Sequence, residues 1–132
     1  MARDERARRR ASVTVSAAAL SGTVVWEVAG IRTTDPVDAV ASVSNQAATT
    51  TPMGAAITTR TAGDFVISAA IVNNSVTRMH ADNAFTNDSL ADDDGWGHLT
   101  NPDAPAGSYQ AQWDQDTSGG FCSSSVAFAI AR

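Results

Sequence analysis

Alternation of apolar and polar residues is the main pattern along this chain. From Gly63 to Val72, Phe, Ile, Ala and Ile occupy one face, and Val, Ser, Ala and Val occupy the other. Successive side chains of a strand point to opposite faces, so both faces of this stretch are semi-apolar, as is typical of a central strand. The same period recurs at 121–131, where Val126, Phe128 and Ile130 alternate with alanine. We predict a central strand at 63–72 and a further strand at 121–131.

A second valine-rich stretch begins after Gly22. Val24, Trp26 and Val28 alternate with Val25, Glu27 and Ala29 before the chain reaches Gly30 and Asp35-Pro36. Branched and aromatic side chains pack well on a pleated surface and favour strands. The pattern predicts a central strand at about 23–29 that leaves the core into a polar loop.

Shorter runs complete the predicted fold, separated by turns rich in glycine, asparagine and aspartate. A clear strand is expected at 107–113. Weaker strands are expected at 11–16 and 76–79, and short edge strands at 37–43 and 55–59. No stretch has helical periodicity, and short strands at this spacing indicate an all-β fold. The predicted architecture is an antiparallel β-sandwich, jelly-roll-like.

The composition limits the size of the predicted core and excludes an internal disulfide and a membrane span. Hydrophobic residues make up 43% of the 132 residues, but aromatics make up only 6%. We therefore expect one domain with a thin core. Cys122 is the single cysteine, which excludes an internal disulfide, and its apolar neighbours predict a buried, inert thiol. No apolar run is long enough to span a bilayer, so no membrane insertion is expected.

Charge divides the chain into two parts. Residues 1–10 hold five arginines against two acids, a net charge of +3, whereas residues 11–132 carry −8, and there is no lysine. We interpret 1–10 as an Arg-rich arm and 11–132 as the domain. The acidic body argues against nucleic-acid binding, which needs clustered Lys or Arg. The arm is expected to be a solvated terminus, and binding of an acidic partner or of nucleic acid is the alternative.

The acidic turn is the candidate metal site. Asp92, Asp93 and Asp94 follow Asp88 closely and precede Gly95. Carboxylate oxygens are the ligands that Ca²⁺ prefers, although the spacing does not match an EF-hand. A solvated loop is the favoured interpretation, and a Ca²⁺ site is the alternative.

Trp96 and His98 are the candidate ligand-binding residues. Trp96 lies between Gly95 and Gly97, with His98 next to them, which predicts a loop. An exposed aromatic ring beside polar groups could stack on a glycan or anchor a protein interface. The alternative is that Trp96 folds over one end of the core.

The sequence lacks the motifs of common enzymes. It contains no Gly-x-Ser-x-Gly, no phosphate-binding glycine loop and no His-Glu-x-x-His. His80 and His98 have no metal-ligand partner at short spacing, and Glu27 is expected to face solvent or to pair with an arginine. We therefore predict that the protein is not an enzyme.

Five segments carry a resemblance to a known kind of module. In chain order they are Val-Thr-Val-Ser, Val-Val-Trp-Glu-Val-Ala-Gly-Ile with Thr-Thr-Asp-Pro-Val-Asp-Ala, Gly-Asp-Phe-Val-Ile-Ser, Ala-Gly-Ser-Tyr-Gln-Ala-Gln-Trp and Ser-Val-Ala-Phe-Ala-Ile. Together, over residues 11–132, they resemble the C-terminal part of an uncharacterised jelly-roll-like β-sandwich module. That module recurs in secreted and surface proteins of high-GC bacteria and in phage structural proteins. The resemblance implies a non-catalytic fold and carries over no site residue.

The resemblance also implies a missing part. Several strands usually precede the Val-Thr-Val-Ser segment in that module, whereas here an Arg-rich decapeptide precedes it. The sandwich is then incomplete at its N-terminal side, or another chain or an upstream domain completes it. Unpaired strand edges invite pairing, so self-association, or a partner protein that completes the sheet, is expected.

These inferences lead to one expected function and two alternatives. The chain is expected to be a non-catalytic structural or surface module for assembly, adhesion or recognition, located outside the cell, on the cell surface or on a virion. One alternative is a decoration or fibre protein of a phage virion. The other is a carbohydrate-binding module that uses Trp96, with Ca²⁺ at the acidic turn.

Overall fold

The computed structural model describes residues 24–81, 83–90 and 93–132. These residues form nine β-strands and contain no α-helix, which confirms the all-β prediction. None of the described residues forms a helix that could cross a membrane. The strands are β1 Val37–Thr49, β2 Ile57–Thr58, β3 Phe65–Val72, β4 Val76–Met79, β5 Thr86–Ser89, β6 Gly95–Leu99, β7 Ser108–Tyr109, β8 Trp113–Gln115 and β9 Gly119–Phe128.

The main sheet has five antiparallel strands in the order β1-β9-β3-β6-β5. β3 and β9 pair over eight consecutive positions, from Phe65 opposite Phe128 to Val72 opposite Phe121. The central strand predicted at 63–72 and the strand predicted at 121–131 are therefore confirmed. β1 and β5 form the two edges, in agreement with the edge strand predicted at 37–43.

Two small sheets, β2-β7 and β4-β8, pack against one face of the main sheet. The predicted strand at 107–113 is divided between them, because the chain changes partner midway. Tyr109 pairs with Ile57, whereas Trp113 pairs with Met79. The prediction of one continuous strand was wrong because alternation cannot report a change of hydrogen-bonding partner.

The face that meets the small sheets, here called the inner face, is the core. Trp113 is fully buried, and its indole lies over the backbone of β6, where a Cβ on Gly95 would approach it to 2.7 Å. The other buried apolar members of this core are Ile57, Val66, Ala70, Val76, Phe85, Leu99, Ala111 and Ala127.

Two buried hydroxyl groups of the inner face, those of Ser68 and Ser125, bond to each other, whereas the buried Ser123 hydroxyl has no hydrogen-bond partner among the described residues. The hydroxyl oxygens of Ser68 and Ser125 lie 2.9 Å apart, and Ser125 donates to the Ala55 carbonyl at 2.8 Å. A buried hydroxyl without a partner would destabilise the fold, so this pair lets two serines stay in the middle of the sheet. The pair also joins β3 and β9 to the segment that leads into β2.

The opposite face, here called the outer face, is made of eight residues on β1, β3 and β9. They are Val40, Ser42, Ile67, Ala69, Ile71, Cys122, Ser124 and Val126. They alternate along each strand with the buried residues of the inner face, and Val40 and Ile71 expose 73% and 44% of their surface. Cys122 is exposed here, so the prediction of a buried thiol was wrong. It occupies an outward position of β9.

The stretch Val24–Val28 is not a strand of any sheet, so the prediction of a central strand there was wrong. It is extended, and Val24, Trp26 and Val28 are half-buried while Val25 and Glu27 are exposed. The same alternation arises when an extended segment lies across a sheet surface. After this stretch, Ile31 forms an isolated antiparallel bridge with Ile130, just beyond the end of β9.

Candidate functional site

β6 places Trp96 and His98 side by side on the surface of the sheet. The two residues are separated by Gly97, and in β3 they are opposite Ala69 and Ile67, which belong to the outer face. Both candidate ligand-binding residues thus belong to one strand and one surface. The prediction of a loop was wrong, because the flanking glycines make room for core side chains and do not form a turn. Gly95 and Gly97 lie under Trp113 on the inner face, where Cβ atoms would collide with neighbouring atoms.

Asp88 on β5 connects this pair to the N-terminal stretch. Its Oδ1 lies 2.6 Å from His98 Nδ1, and its Oδ2 accepts a hydrogen bond of 2.7 Å from Trp26 Nε1. The sequence indicates Asp88 only as a Ca²⁺ ligand. It does not indicate the contact with Trp26, because no local pattern connects residues 26 and 88.

Aromatic rings complete this cluster. The Trp26 and Trp96 ring centroids lie 6.2 Å apart with planes inclined by 47°. On the other side, the rings of Phe65 and His98 are 5.6 Å apart. Offset, tilted ring pairs of this kind are attractive. We call Trp26, Asp88, Trp96 and His98 the aromatic cluster. Trp26 lies against Trp96, so a ligand at this corner of the sheet would meet the indole rings of both residues.

The outer face beside the aromatic cluster is a shallow depression. A cavity of about 470 Å³ is lined by Val40, Ser42, Ile67 and Val126, among others. A second depression of about 500 Å³ extends the surface along Ile71 and Cys122 toward Trp96. No charged side chain lines either depression in the part of the chain that the structure describes. This surface suits an uncharged partner with small side chains.

The structure describes two of the three aspartates of the acidic turn. Asp92 lies outside the described residues. Asp93 is exposed, with a φ of 65°, and the Asp94 carboxylate accepts a hydrogen bond of 3.0 Å from the Val72 backbone. Asp94 therefore holds the end of β3 beside the start of β6. Residues 24–81, 83–90 and 93–132 contain no group of three metal-binding side chains, and a Ca²⁺ site here stays a prediction.

A polar cleft lies on β4 and β8, and no sequence pattern predicts it. Arg78 Nε and His80 Nδ1 both contact the Asp114 carboxylate, at 2.6 and 2.5 Å. The hydrogen bond to His80 is the main cause that lowers the pKa of Asp114, and Arg78 adds to it. Asp114 and His80 are 34 residues apart in the chain, so only the pairing of β4 with β8 brings them together.

A buried carboxyl pair lies at the start of β1 and β3. Asp64 is 3% exposed, and neither of its carboxyl oxygens has a hydrogen-bond donor among the described residues. Burial, and then the neighbouring Asp38, raise the pKa of Asp64 to about 6, while Arg32 and Arg132 oppose the shift. Two carboxyl groups can bond to each other only through a shared proton.

Asp38 has the opposite behaviour. Burial alone would raise its pKa. The 2.6 Å hydrogen bond from the Arg60 backbone, the bond with Asp64, the charge of Arg60 and the bond from Thr61 together lower it. The proton of the pair therefore resides on Asp64.

The chain was compared with family models, with curated proteins and with solved structures, and none of them matches it.

Proposed function

We propose that this protein is a non-catalytic structural module that assembles by pairing the edge strand β1 with a second copy of the chain. The observation that carries the proposal is β1 itself. It is 13 residues long, lies at one edge of the main sheet and is mostly exposed. An edge strand presents a row of unpaired N–H and C=O groups, which form a template for another strand.

The composition of β1 leaves that edge open. Asp38 is the only charged residue of the strand, and the strand contains no proline. Lysine, proline and inward-pointing charges are the usual means by which proteins block an edge. Bulges do occur near Gln46 and Thr49, but Ala39–Val43 pairs with β9 in unbroken register. Antiparallel pairing of two such segments forms a symmetric, closed dimer.

The opposite edge is less suited to pairing. β5 has four residues, Thr86–Ser89, and its Asp88 is already bonded to His98 and Trp26. The two edges therefore differ in length and in charge. Assembly through β1 fits a surface or virion component whose role is to join subunits, and we place the protein outside the cell, on the cell surface or on a virion.

Light scattering coupled to size-exclusion chromatography tests the proposal. We expect a mass above one subunit that rises with concentration in the wild type. Val43→Lys, at the end of the regular part of β1, should give a single subunit, whereas Asn87→Lys, an exposed position on β5, should behave as the wild type. A wild type that remains one subunit at the highest attainable concentration would overturn the proposal, as would equal effects of the two variants.

A further inference from the structure

Asp64 is the only charged residue among the buried residues of the described chain. It is 3% exposed, and neither of its carboxyl oxygens accepts a hydrogen bond from a described donor. An oxygen buried in this way destabilises the fold unless a proton, an ordered water or an ion contacts it. The surroundings of Asp64 therefore decide which of these partners its carboxyl group takes.

Strand pairing brings Asp38 to the same place. Val37, Phe128 and Phe65 form one row across β1, β9 and β3. Asp38 directly follows the first residue of this row, and Asp64 directly precedes the last, so both acids lie at the same end of the main sheet. The register of β1 shifts at Asp38, and such a bulge redirects a side chain. The two carboxyl groups are consequently in contact.

The oxygen atoms around this carboxyl pair suit a hard cation. Asp38 Oδ2 accepts a hydrogen bond of 2.6 Å from the Arg60 amide, whereas Asp38 Oδ1 lies 3.5 Å from the Thr61 hydroxyl. Asp38 Oδ1, the Thr61 hydroxyl and both oxygens of Asp64 are thus close together. Ca²⁺ binds about six to eight oxygens and accepts an irregular arrangement of carboxylates, carbonyls and waters. The pair therefore supplies the charged part of a Ca²⁺ shell.

Two arginines lie near the pair but do not bond to Asp64. Arg32 and Arg132 act on Asp64 through their charge. The Arg32 guanidinium donates to the Asp35 carbonyl at 3.4 Å, and that of Arg132 donates to the Ala62 carbonyl. They reduce the negative charge of the site, and the affinity for Ca²⁺ depends on that charge. We therefore expect a dissociation constant of about 10⁻⁴–10⁻³ M, the range of extracellular Ca²⁺ modules.

We propose that Asp38 and Asp64, together with the Thr61 hydroxyl, bind a Ca²⁺ ion at this end of the main sheet. Ca²⁺ fits better than Mg²⁺, because Mg²⁺ gives up its waters reluctantly and Asp64 is buried. The ion and the shared proton are alternatives, since both bring positive charge to the same oxygens. The bound ion joins the start of β1 to the start of β3 across the end of β9. The proposal does not depend on the pairing of β1 with a second copy.

Thermal unfolding of the full chain tests the site. We would compare about 10 mM CaCl₂ with EDTA at equal ionic strength and about pH 8, where protons compete least. We expect Ca²⁺ to raise the Tm of the wild type by about 4 °C or more, and Mg²⁺ to raise it by less than half as much. Asp64→Asn should lose the rise, because it removes one of the two charges that hold the ion. Asp93→Asn, in the acidic turn, is the matched control and should keep it.

Calorimetric titration of the wild type with CaCl₂ provides a test without a variant, and Asp38→Asn replaces Asp64→Asn where the latter does not fold. We expect binding heat that Asp64→Asn or Asp38→Asn abolishes. A wild type without heat and without a Ca²⁺-dependent Tm would overturn the proposal. So would an equal rise with Mg²⁺, or a rise that Asp93→Asn removes and Asp64→Asn retains, since the ion would then lie in the acidic turn. Failure of edge pairing in light scattering would leave these results unaffected.

Discussion

The inner and outer faces of the main sheet are built from the same strands, yet they differ in what their side chains meet. On the inner face Ser68 and Ala70 are buried under the small sheets, and the hydroxyl of Ser68 bonds to that of Ser125. On the outer face Ala69, which lies between Ser68 and Ala70 in the chain, and its cross-strand partner Ser124 line an open depression. Small residues thus serve close packing on one side and leave an unfilled surface on the other. The two faces of the sheet therefore show that residue composition alone does not distinguish a buried core from an exposed surface.

The largest expected effect is on the inner face. Trp113→Ala removes the largest fully buried side chain, and we expect a loss of about 3–5 kcal/mol in the free energy of unfolding. Val40→Ala on the outer face should cost less than about 0.5 kcal/mol where no segment covers that residue. Urea denaturation followed by circular dichroism measures both. Equal losses would mean that the two faces are equally packed.

Asp64 predicts a pH dependence on the buried side of the sheet. Its pKa in the folded protein is about 6, above the ordinary value of 3.8, so its stabilising contribution is complete below pH 3.8 and is lost as the pH rises through about 6. The free energy of unfolding should fall by at most roughly 3 kcal/mol over this range. Asp64→Asn should remove the decline. If the variant and the wild type decline equally between pH 4 and 7, another group is responsible.

Gly95 tests the contact between β6 and the core. A Cβ at this position would lie 2.7 Å from the Trp113 ring, so Gly95→Ala should destabilise the protein by about 1–3 kcal/mol. Gly107 has no atom within 4 Å of such a Cβ, and Gly107→Ala is the matched control, with an expected change below about 0.5 kcal/mol. Thermal denaturation compares the two. A tolerated Gly95→Ala would contradict the close approach of Trp113.

The smallest expected effect is at the aromatic cluster. Asp88→Asn weakens the charge-assisted hydrogen bonds to His98 and Trp26, and we expect a loss of about 1 kcal/mol with a red shift of the tryptophan emission. Asp103→Asn, at an exposed loop position, is the control. An unchanged emission spectrum in Asp88→Asn would show that Trp26 is held by its contact with Trp96 alone.

Sequence alternation predicted β3 and β9, because a long run of small and apolar residues with a period of two is a pattern that few other structures share. It failed at Val24–Val28, where the alternation is equally regular. Alternation records which side of an extended segment is buried, but it does not record whether the backbone has hydrogen-bonding neighbours. The hydrogen bond between Trp26 and Asp88 spans 62 residues, and no local pattern announces it.

The candidate site, too, could be predicted only in part from the sequence. Trp96 and His98 were recognisable as residues, since an aromatic ring and an imidazole separated by one residue are conspicuous in a chain with three tryptophans and two histidines. Their position on a strand was not recognisable. Gly95 and Gly97 are typical of a loop, and the sequence does not show that Trp113 packs against them. The His80–Asp114 and Asp38–Asp64 contacts depend on strand pairing, which lies beyond the range of local sequence.

The position of β9 has a consequence for the synthesis of the protein. β9 is the last of the nine strands in the chain, yet it lies between β1 and β3 and provides the neighbour that each of them needs. While the ribosome translates residues 37–118, neither strand has that neighbour, so the main sheet cannot close before β9 has been synthesised. Contacts of such large sequence separation make folding slow, and transiently unpaired strands are the surfaces that chaperones bind. β1 and β3 therefore stay without their shared neighbour until Gly119–Phe128 has emerged from the exit tunnel.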